Sequence, residues 1–410
     1  MGAGAAGVAA AVALQEQSVG DEVCLLGAEG VVPYERPVLS KASLTDPLAA
    51  DPPPLDPAGL TERGIRLELD SEVVSIDAGA HTLVLAEGRE IAYDRLLLAT
   101  GAEPRRLEVP GSQLTGLFYL RDLADARRLR PALHASGRVV IVGGGVIGLE
   151  VAASARRLGC DVTVVEAGPR LMGRVVPAEL ADAIAALHRT RGVTVRTSCR
   201  PVAFEGDDER VRGVVLADGE VLPADTVVIG IGVVPRSELA AAAGIATDDG
   251  ILVDEHFRTS DDSIFAAGDV ARVHHAGERR HVRIEQWEPA QEQGRCAAMS
   301  MLGAAEPYRA VPWMWSDQGE AHIQMAGFDF DDADVVVRRG SVDDPEGLSF
   351  LAVRDGRLVA ACGVSVGTGV ARAVRPAQRL IAREIRVDPE ELGDPRVDLR
   401  RLVRQRAGRL

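Results

Sequence analysis

Apolar residues are laid out in two ways along the chain. The blocks RVVIV (Arg138–Val142), LLLATG (96–101), TVVIGIG (226–232) and DSIFAAGDV (262–270) are short, apolar and closed by glycine, as in parallel strands buried on both faces. Between them, residues 7–14 and 147–158 have the small and apolar content of helices, and EVCLLGAE (22–29) and CDVTVVE (160–166) follow as strands. Residues 65–76 and 82–85 are expected as strands of an antiparallel insert. The segment 288–302 is expected as a helix with Pro289 in its first turn. From Pro312 the chain alternates apolar and polar residues (HIQMAG, ADVVVRRG, LSFLAVRDGRLVAACGV), the signature of an antiparallel sheet, and it ends in Arg-rich helical segments.

Two turns change this outline into a specific one. G-G-G-V-I-G places Gly143, Gly145 and Gly148 between the strand Arg138–Val142 and the next helix. Glu166 closes the following strand at about the 20-residue spacing expected of a ribose-binding acid. Glycines let a diphosphate approach the backbone, and the helix N-terminus turns partial positive charge toward it. Glu166 would accept hydrogen bonds from ribose hydroxyls and repel a 2′-phosphate, so NADH is expected over NADPH. The NAD-binding candidates are Gly143, Gly145, Val146, Ile147, Gly148 and Glu166, with Gly230 and Gly232 after the later strand. The second turn, G-A-G-A-A-G, holds Gly2, Gly4 and Gly7, with Glu29 in the place of Glu166. Its preceding strand is absent from the sequence, which suggests a start several residues upstream. The same terminus lacks the basic region of a signal peptide, and Ala6 stands where a myristoylation site needs Ser or Thr. The expected fold is α/β, with two Rossmann-like nucleotide-binding domains, for FAD (1–110 and 233–308) and NAD (111–232), and a C-terminal α+β domain (309–410) with an antiparallel sheet. Two dinucleotides in one chain point to a flavin enzyme that takes hydride from a nicotinamide.

Composition narrows the picture further. A net charge of −15 argues against nonspecific nucleic-acid binding. No run is long and apolar enough to span a bilayer. Cys24, Cys160, Cys199, Cys296 and Cys362 are scattered with no C-x-x-C, which suggests a reducing cytoplasm and neither structural zinc nor a redox-active disulfide of that type. His274 and His275 are expected in a solvated, charged loop, and no metal site is expected. Among 46 basic residues the only lysine is Lys41, a candidate for a site that needs a compact, movable ammonium. Survival of one surface lysine by chance is the alternative.

The motifs PYERPVLSK (33–41), LLLATGAEPR (96–105), VVIVGGGVIGLEVAA (139–153), IGIGVVP (229–235), IFAAGDVAR (264–272), RIEQWEPAQEQG (283–294) and VPWMWSDQ (311–318) together carry a resemblance across nearly the whole chain. In these the chain resembles the FAD-dependent, NADH-using ferredoxin reductases of bacterial aromatic-ring dioxygenases and haem monooxygenases. Relatives that act on disulfides need a cysteine near Lys41, and none lies between Gly27 and Lys41.

The resemblance implies the cofactors FAD and NADH, and it implies roles. Gly2, Gly4, Gly7 and Glu29 would hold the FAD diphosphate and ribose, Asp269 the ribitol, and Val73 the adenine. Arg36, Lys41, Thr100, Gly101 and Arg121 would line the same cofactor. Lys41 would stabilise charge on the reduced flavin, paired with Glu150 beside the nicotinamide; a helix-terminal acid meeting the dipole is the other reading of Glu150. The helix after Trp287 would aim its positive end at the flavin, and Trp315, more than Trp313, would flank the ring. Hydride would pass from NADH to the flavin, and single electrons onward to an acidic 2Fe–2S ferredoxin. Residues 371–410 carry 11 arginines against 6 acids, and with Arg295 they form the expected docking rim. Rubredoxin or another acceptor, and a non-catalytic nucleotide-binding protein lacking a complete FAD site, are the alternatives.

Overall fold

The computed structural model describes residues 1–17, 22–46, 48, 51–55, 57–173, 175–207, 209–303, 306–328, 330–394 and 396–407. The last arginine of the basic C-terminal stretch, Arg409, lies outside them. The chain divides into two compact units. The first comprises Met1–Glu35, Pro53–Glu103 and Val233–Ala310; the second comprises Arg36–Pro52, Pro104–Gly232 and Val311–Leu410.

In the first unit, the parallel strands Cys24–Leu26 and Arg66–Glu68 form one pair, and Leu96–Leu98 and Ile264–Ala266 another. Met1 and Gly2 hydrogen-bond to both: Gly2 N–H donates to Leu26 O and Ala99 N–H to Met1 O, each at 2.8 Å. The helix Ala5–Gln17 is small-residued on its buried side, at Ala5, Ala6, Ala10 and Ala11. This lets the helix Trp287–Met301 come so near that a Cβ on Gly294 would stand 2.2 Å from Ala6 O.

The expectation of continuous antiparallel strand over 65–76 needs correction. Arg66–Glu68 runs parallel to Cys24–Leu26, and only Val73–Asp77 joins the antiparallel sheet with Thr82–Leu85 and Glu90–Ala92. Asp70 breaks the run with φ of 51°, and Ser71 N–H is spent on Gly27 O. His275 is likewise not in a solvated loop. It ends the strand Ala271–His275, 3% exposed, and its ring meets the Tyr308 ring edge-on at 5.5 Å. Alternation in the sequence hid it, because its neighbours His274 and Arg272 face outward.

The second unit is built on a parallel sheet in the order Val193–Arg196, Asp161–Val165, Arg138–Val142, Thr226–Ile229, Leu117–Phe118. Arg138–Val142 is central, with Val139 to Val142 all buried. The antiparallel strands Pro201–Asp207, Arg210–Leu216 and Val221–Pro223 pack against it through Phe204, Val211 and Val214. A five-stranded antiparallel sheet follows, in the order Trp313–Gln318, Ala321–Gly327, Arg357–Val366, Leu348–Arg354, Val335–Arg339. Two of its three inner strands, Leu348–Arg354 and Arg357–Val366, are buried at nearly every position rather than at alternate ones. The helix Ala371–Ala382 and the helix Ala178–Thr190 both contact them, and Leu351, Leu358, Ala377 and Leu380 join one core.

The buried imidazoles make stability depend on pH. His275 Nδ1 accepts from Glu278 N–H at 3.2 Å, while Nε2 faces Ala310 O at 3.2 Å, so the neutral ring uses both nitrogens. Burial pushes His275 and His188 below the ordinary value of 6.5. The unfolded chain therefore binds more protons below pH 6.5. The stability these rings contribute is complete above that pH and is lost as pH falls toward their folded values. The melting temperature should drop between about pH 7.5 and 5.5, and His275→Gln should flatten the drop; identical pH profiles would refute this.

Candidate active site

The strand Arg138–Val142 runs straight into the glycine turn. Gly143 has φ of 110°, and a Cβ there would lie 2.2 Å from Gly230 O. A Cβ on Gly148 would lie 2.2 Å from Gly143 O, so this glycine lets the helix Val146–Arg157 close onto the turn. Gly145 differs from both, since a Cβ there would meet nothing within 4 Å. It caps the helix with no side-chain acceptor, so the amides of Val146, Ile147 and Gly148 in the first turn remain available. Two glycines thus hold the turn's shape and one leaves it open to a ligand, the division of labour of a diphosphate-binding turn. Glu166 sits beside it: Oε2 accepts from Gly144 N–H at 2.8 Å and Oε1 from Gly168 N–H at 2.6 Å. Gly230 N–H continues the ladder to Val142 O at 2.8 Å, and Gly232, with φ of 103°, accepts from Arg105 N–H at 2.9 Å.

The first unit repeats the arrangement. A Cβ on Gly2 would stand 2.1 Å from Ala99 O, one on Gly7 1.8 Å from Gly2 O, and one on Gly4 would again meet nothing within 4 Å. Glu29, beyond the strand Cys24–Leu26, accepts from the Tyr34 hydroxyl at 2.7 Å. The Thr100 hydroxyl donates to Arg236 O at 2.8 Å, and Gly101 O accepts from Arg236 N–H at 2.9 Å. Asp269 follows Gly268, whose N–H donates to the buried Gln293 Oε1 at 2.9 Å. Gln293 stands on the helix that Trp287 begins, so the Gly268–Asp269 turn and that helix are tied together. Val73 opens the antiparallel strand opposite Leu85 and is buried there.

The second unit also assembles a charged cluster. Lys41 Nζ lies 2.9 Å from Glu150 Oε1 and donates to Pro37 O at 2.9 Å. Glu150 is 4% exposed, on the helix Val146–Arg157. Its Oε2 accepts from Ser40 Oγ at 2.5 Å and its Oε1 from Ser316 Oγ at 2.7 Å. A buried charge is tolerated only when it is paired and hydrogen-bonded, and this one has three partners. Arg36 Nη1 donates to Arg121 O at 3.0 Å, so those two residues are also neighbours. Trp315 stacks on Trp313 at 5.3 Å and 22°, and the Arg375 guanidinium covers the other indole at 3.2 Å. Asp317 is held below its usual range by His322, whose Nδ1 is 2.5 Å away, and by the Lys41 charge.

The pairing of Lys41 with Glu150 follows the sequence expectation. The two serines on Glu150, the Tyr34 hydroxyl on Glu29 and the cation over Trp313 do not appear in it. Ser40 adjoins Lys41, and Ser316 sits inside the W-S-D-Q stretch, but nothing in either string says which way a hydroxyl points.

Two open-glycine turns, each with its acid past the end of the neighbouring strand, define an oxidoreductase built to hold two dinucleotides. The family described as pyridine nucleotide-disulphide oxidoreductase matches residues 1–294, and the reductase C-terminal family matches residues 313–403. Rhodocoxin reductase of Rhodococcus erythropolis is 40% identical over 98% of this chain and 92% of its own length. Rubredoxin-NAD(+) reductase of Pseudomonas putida is 40% identical over 88% of this chain and 93% of its own. The crystal structure of a ferredoxin reductase from Rhodopseudomonas palustris superimposes with a TM-score of 0.92 at 37% identity, covering 98% of each chain. The chain belongs to the pyridine nucleotide-disulphide oxidoreductase family. It is an NAD-dependent reductase, and its cofactors are FAD and NADH.

The contrast between Gly145 and Gly148 can be tested directly. Gly145→Ala, at φ of −84°, should leave the fold intact yet weaken NADH binding by about tenfold or more, because a methyl occupies the open side of the turn. Gly148→Ala should instead lower thermal stability. Equal effects of the two on stability would refute the assignment.

Proposed function

We propose that this reductase takes hydride from NADH and passes electrons singly, through FAD, to an acidic 2Fe–2S ferredoxin that feeds an oxygenase. The observation that carries the reading is the pair of matching glycine turns. Gly2, Gly4, Gly7 and Glu29 serve the FAD diphosphate and ribose; Gly143, Gly145, Val146, Ile147, Gly148 and Glu166 serve those of NADH, with Gly230 and Gly232 beside them. When bound, the nicotinamide supplies the hydride and the flavin divides the pair into single electrons. Glu166, an acid where a 2′-phosphate would go, favours NADH over NADPH. Lys41 supplies a positive charge to answer the negative charge that hydride brings, and Glu150 keeps its ammonium in place. Asp269, Arg36, Val73, Thr100, Gly101 and Arg121 are the remaining FAD contacts of this reading, and Trp315 and the start of the Trp287 helix are assigned to the ring. A cytoplasmic setting fits the scattered cysteines.

Anaerobic NADH should bleach a flavin band in the purified protein. Lys41→Ala should slow that bleaching by about tenfold or more, with NADH affinity changed by less than about threefold. A protein that takes up no FAD, or a variant with unchanged reduction kinetics, would refute the reading.

The acceptor reading draws on the names of the relatives, which include rubredoxin as well as ferredoxin partners. Arg295, 52% exposed and paired only loosely with Glu292 at 3.2 Å, is the proposed docking cation on the first unit. On the second, Arg372, on the helix Ala371–Ala382, is a separate candidate cation. Arg295→Glu should raise the KM for ferredoxin several-fold and leave dye reduction alone. Equal loss with both acceptors would argue against docking, and faster turnover with rubredoxin would favour the other acceptor.

A further inference from the structure

Three buried polar residues of the second unit have no part in the mechanism so far. His188 is 1% exposed, and Ser316 and Gln318 are wholly buried. They are joined end to end. His188 Nε2 lies 2.9 Å from Gln318 Oε1, Gln318 Nε2 donates to Ser316 Oγ at 3.2 Å, and Ser316 Oγ donates to Glu150 Oε1 at 2.7 Å.

The chemistry at one end fixes the direction of every link. An ionised carboxylate only accepts, so the Ser316 hydroxyl gives its proton to Glu150. The Ser316 oxygen then accepts, which turns the amide nitrogen of Gln318 toward it and the amide oxygen toward His188. The His188 proton must therefore sit on Nε2. Its Nδ1 meets no hydrogen-bond partner among the described residues, so a second proton there would be buried without an acceptor. Burial accordingly holds this ring neutral. The far end is anchored twice by one helix terminus, since Arg191 Nη1 also donates to Gln318 O at 2.8 Å. An inert polar network could satisfy its own members anywhere in the core. This one ends on the carboxylate that is paired with the only lysine in the chain.

We propose that His188, Gln318 and Ser316 are positioning residues, a one-way hydrogen-bond chain that holds the Glu150 carboxylate in the rotamer that meets Lys41. The strand Trp313–Gln318 thereby contributes to the hydride-transfer site as well as to its own sheet. The proposal rests on the assignment of Lys41 and Glu150 to that site, and the test separates the two.

Because Lys41 is the only lysine, FAD-loaded protein grown with ε-13C-lysine gives one lysine side-chain resonance. In Ser316→Ala that resonance should move, and reductive methylation of Lys41 should quicken about fivefold, the worth of one hydrogen bond. The limiting rate of flavin reduction should fall by about the same factor, with the NADH Kd within about twofold. Ser316→Thr, which restores the hydroxyl, should return all three to the parent values, and His188→Phe should fall between. A lysine resonance in Ser316→Ala that overlays the parent would overturn the proposal, and so would failure of Ser316→Thr to restore it, which marks a packing effect. A resonance that moves while reduction stays unchanged would leave the chain standing and remove Lys41 from hydride transfer.

Discussion

The carboxylate of Glu150 has to be met by donors wherever it is buried, and much of the second unit is arranged around that requirement. Charge taken from water without partners costs several kcal/mol. Here one ammonium and two hydroxyls converge on two oxygens of the fingerprint helix, and they arrive from two stretches of chain far apart in sequence: Ser40 and Lys41, and the strand that opens the C-terminal sheet. Ser154, one turn further along the same helix, accounts for the Ser40 carbonyl at 2.7 Å. Removing any donor would strand the charge or its partner, so these segments are constrained together more tightly than apolar packing alone would constrain them.

The glycine turns obey a different constraint, a purely steric one. Gly2 and Gly143 stand against a carbonyl just past the end of another strand, those of Ala99 and Gly230, and Gly7 and Gly148 against the carbonyl of the turn's own first glycine. The match extends to the hydrogen bond that starts each helix, from Val8 to Gly4 and from Leu149 to Gly145, both at 3.0 Å. Backbone geometry of this kind needs no side chains, and that is why it is written so plainly as spacing.

Legibility in the sequence follows from this difference. Turns, buried parallel strands and helices are local, and their positions could be read from glycine spacing and apolar runs. The break at Asp70 could not be, because the two halves of 65–76 are apolar enough to look continuous and differ only in which strand they join. The inner strands of the C-terminal sheet look alternating on paper, yet Ser349 and Ser365 are buried as fully as their apolar neighbours. His275 was masked by charged neighbours. The chain of His188, Gln318 and Ser316 was invisible for a stronger reason: each is an ordinary polar residue on an ordinary element, and its meaning lies only in the direction of a bond to a residue more than a hundred positions away.

Glu166 bears on how the coenzyme of such a protein could be exchanged. Both of its oxygens are already engaged by the backbone, one by the glycine turn itself and one by the loop that follows. The side chain proposed to discriminate the ribose is therefore also a clamp on the glycine turn proposed to hold the diphosphate. Redesigning this enzyme for a phosphorylated nicotinamide by placing a cation at this position would leave two amide donors without their acceptor, at about 1–3 kcal/mol for each one buried. A successful redesign would have to supply new acceptors for Gly144 and Gly168 along with the new charge.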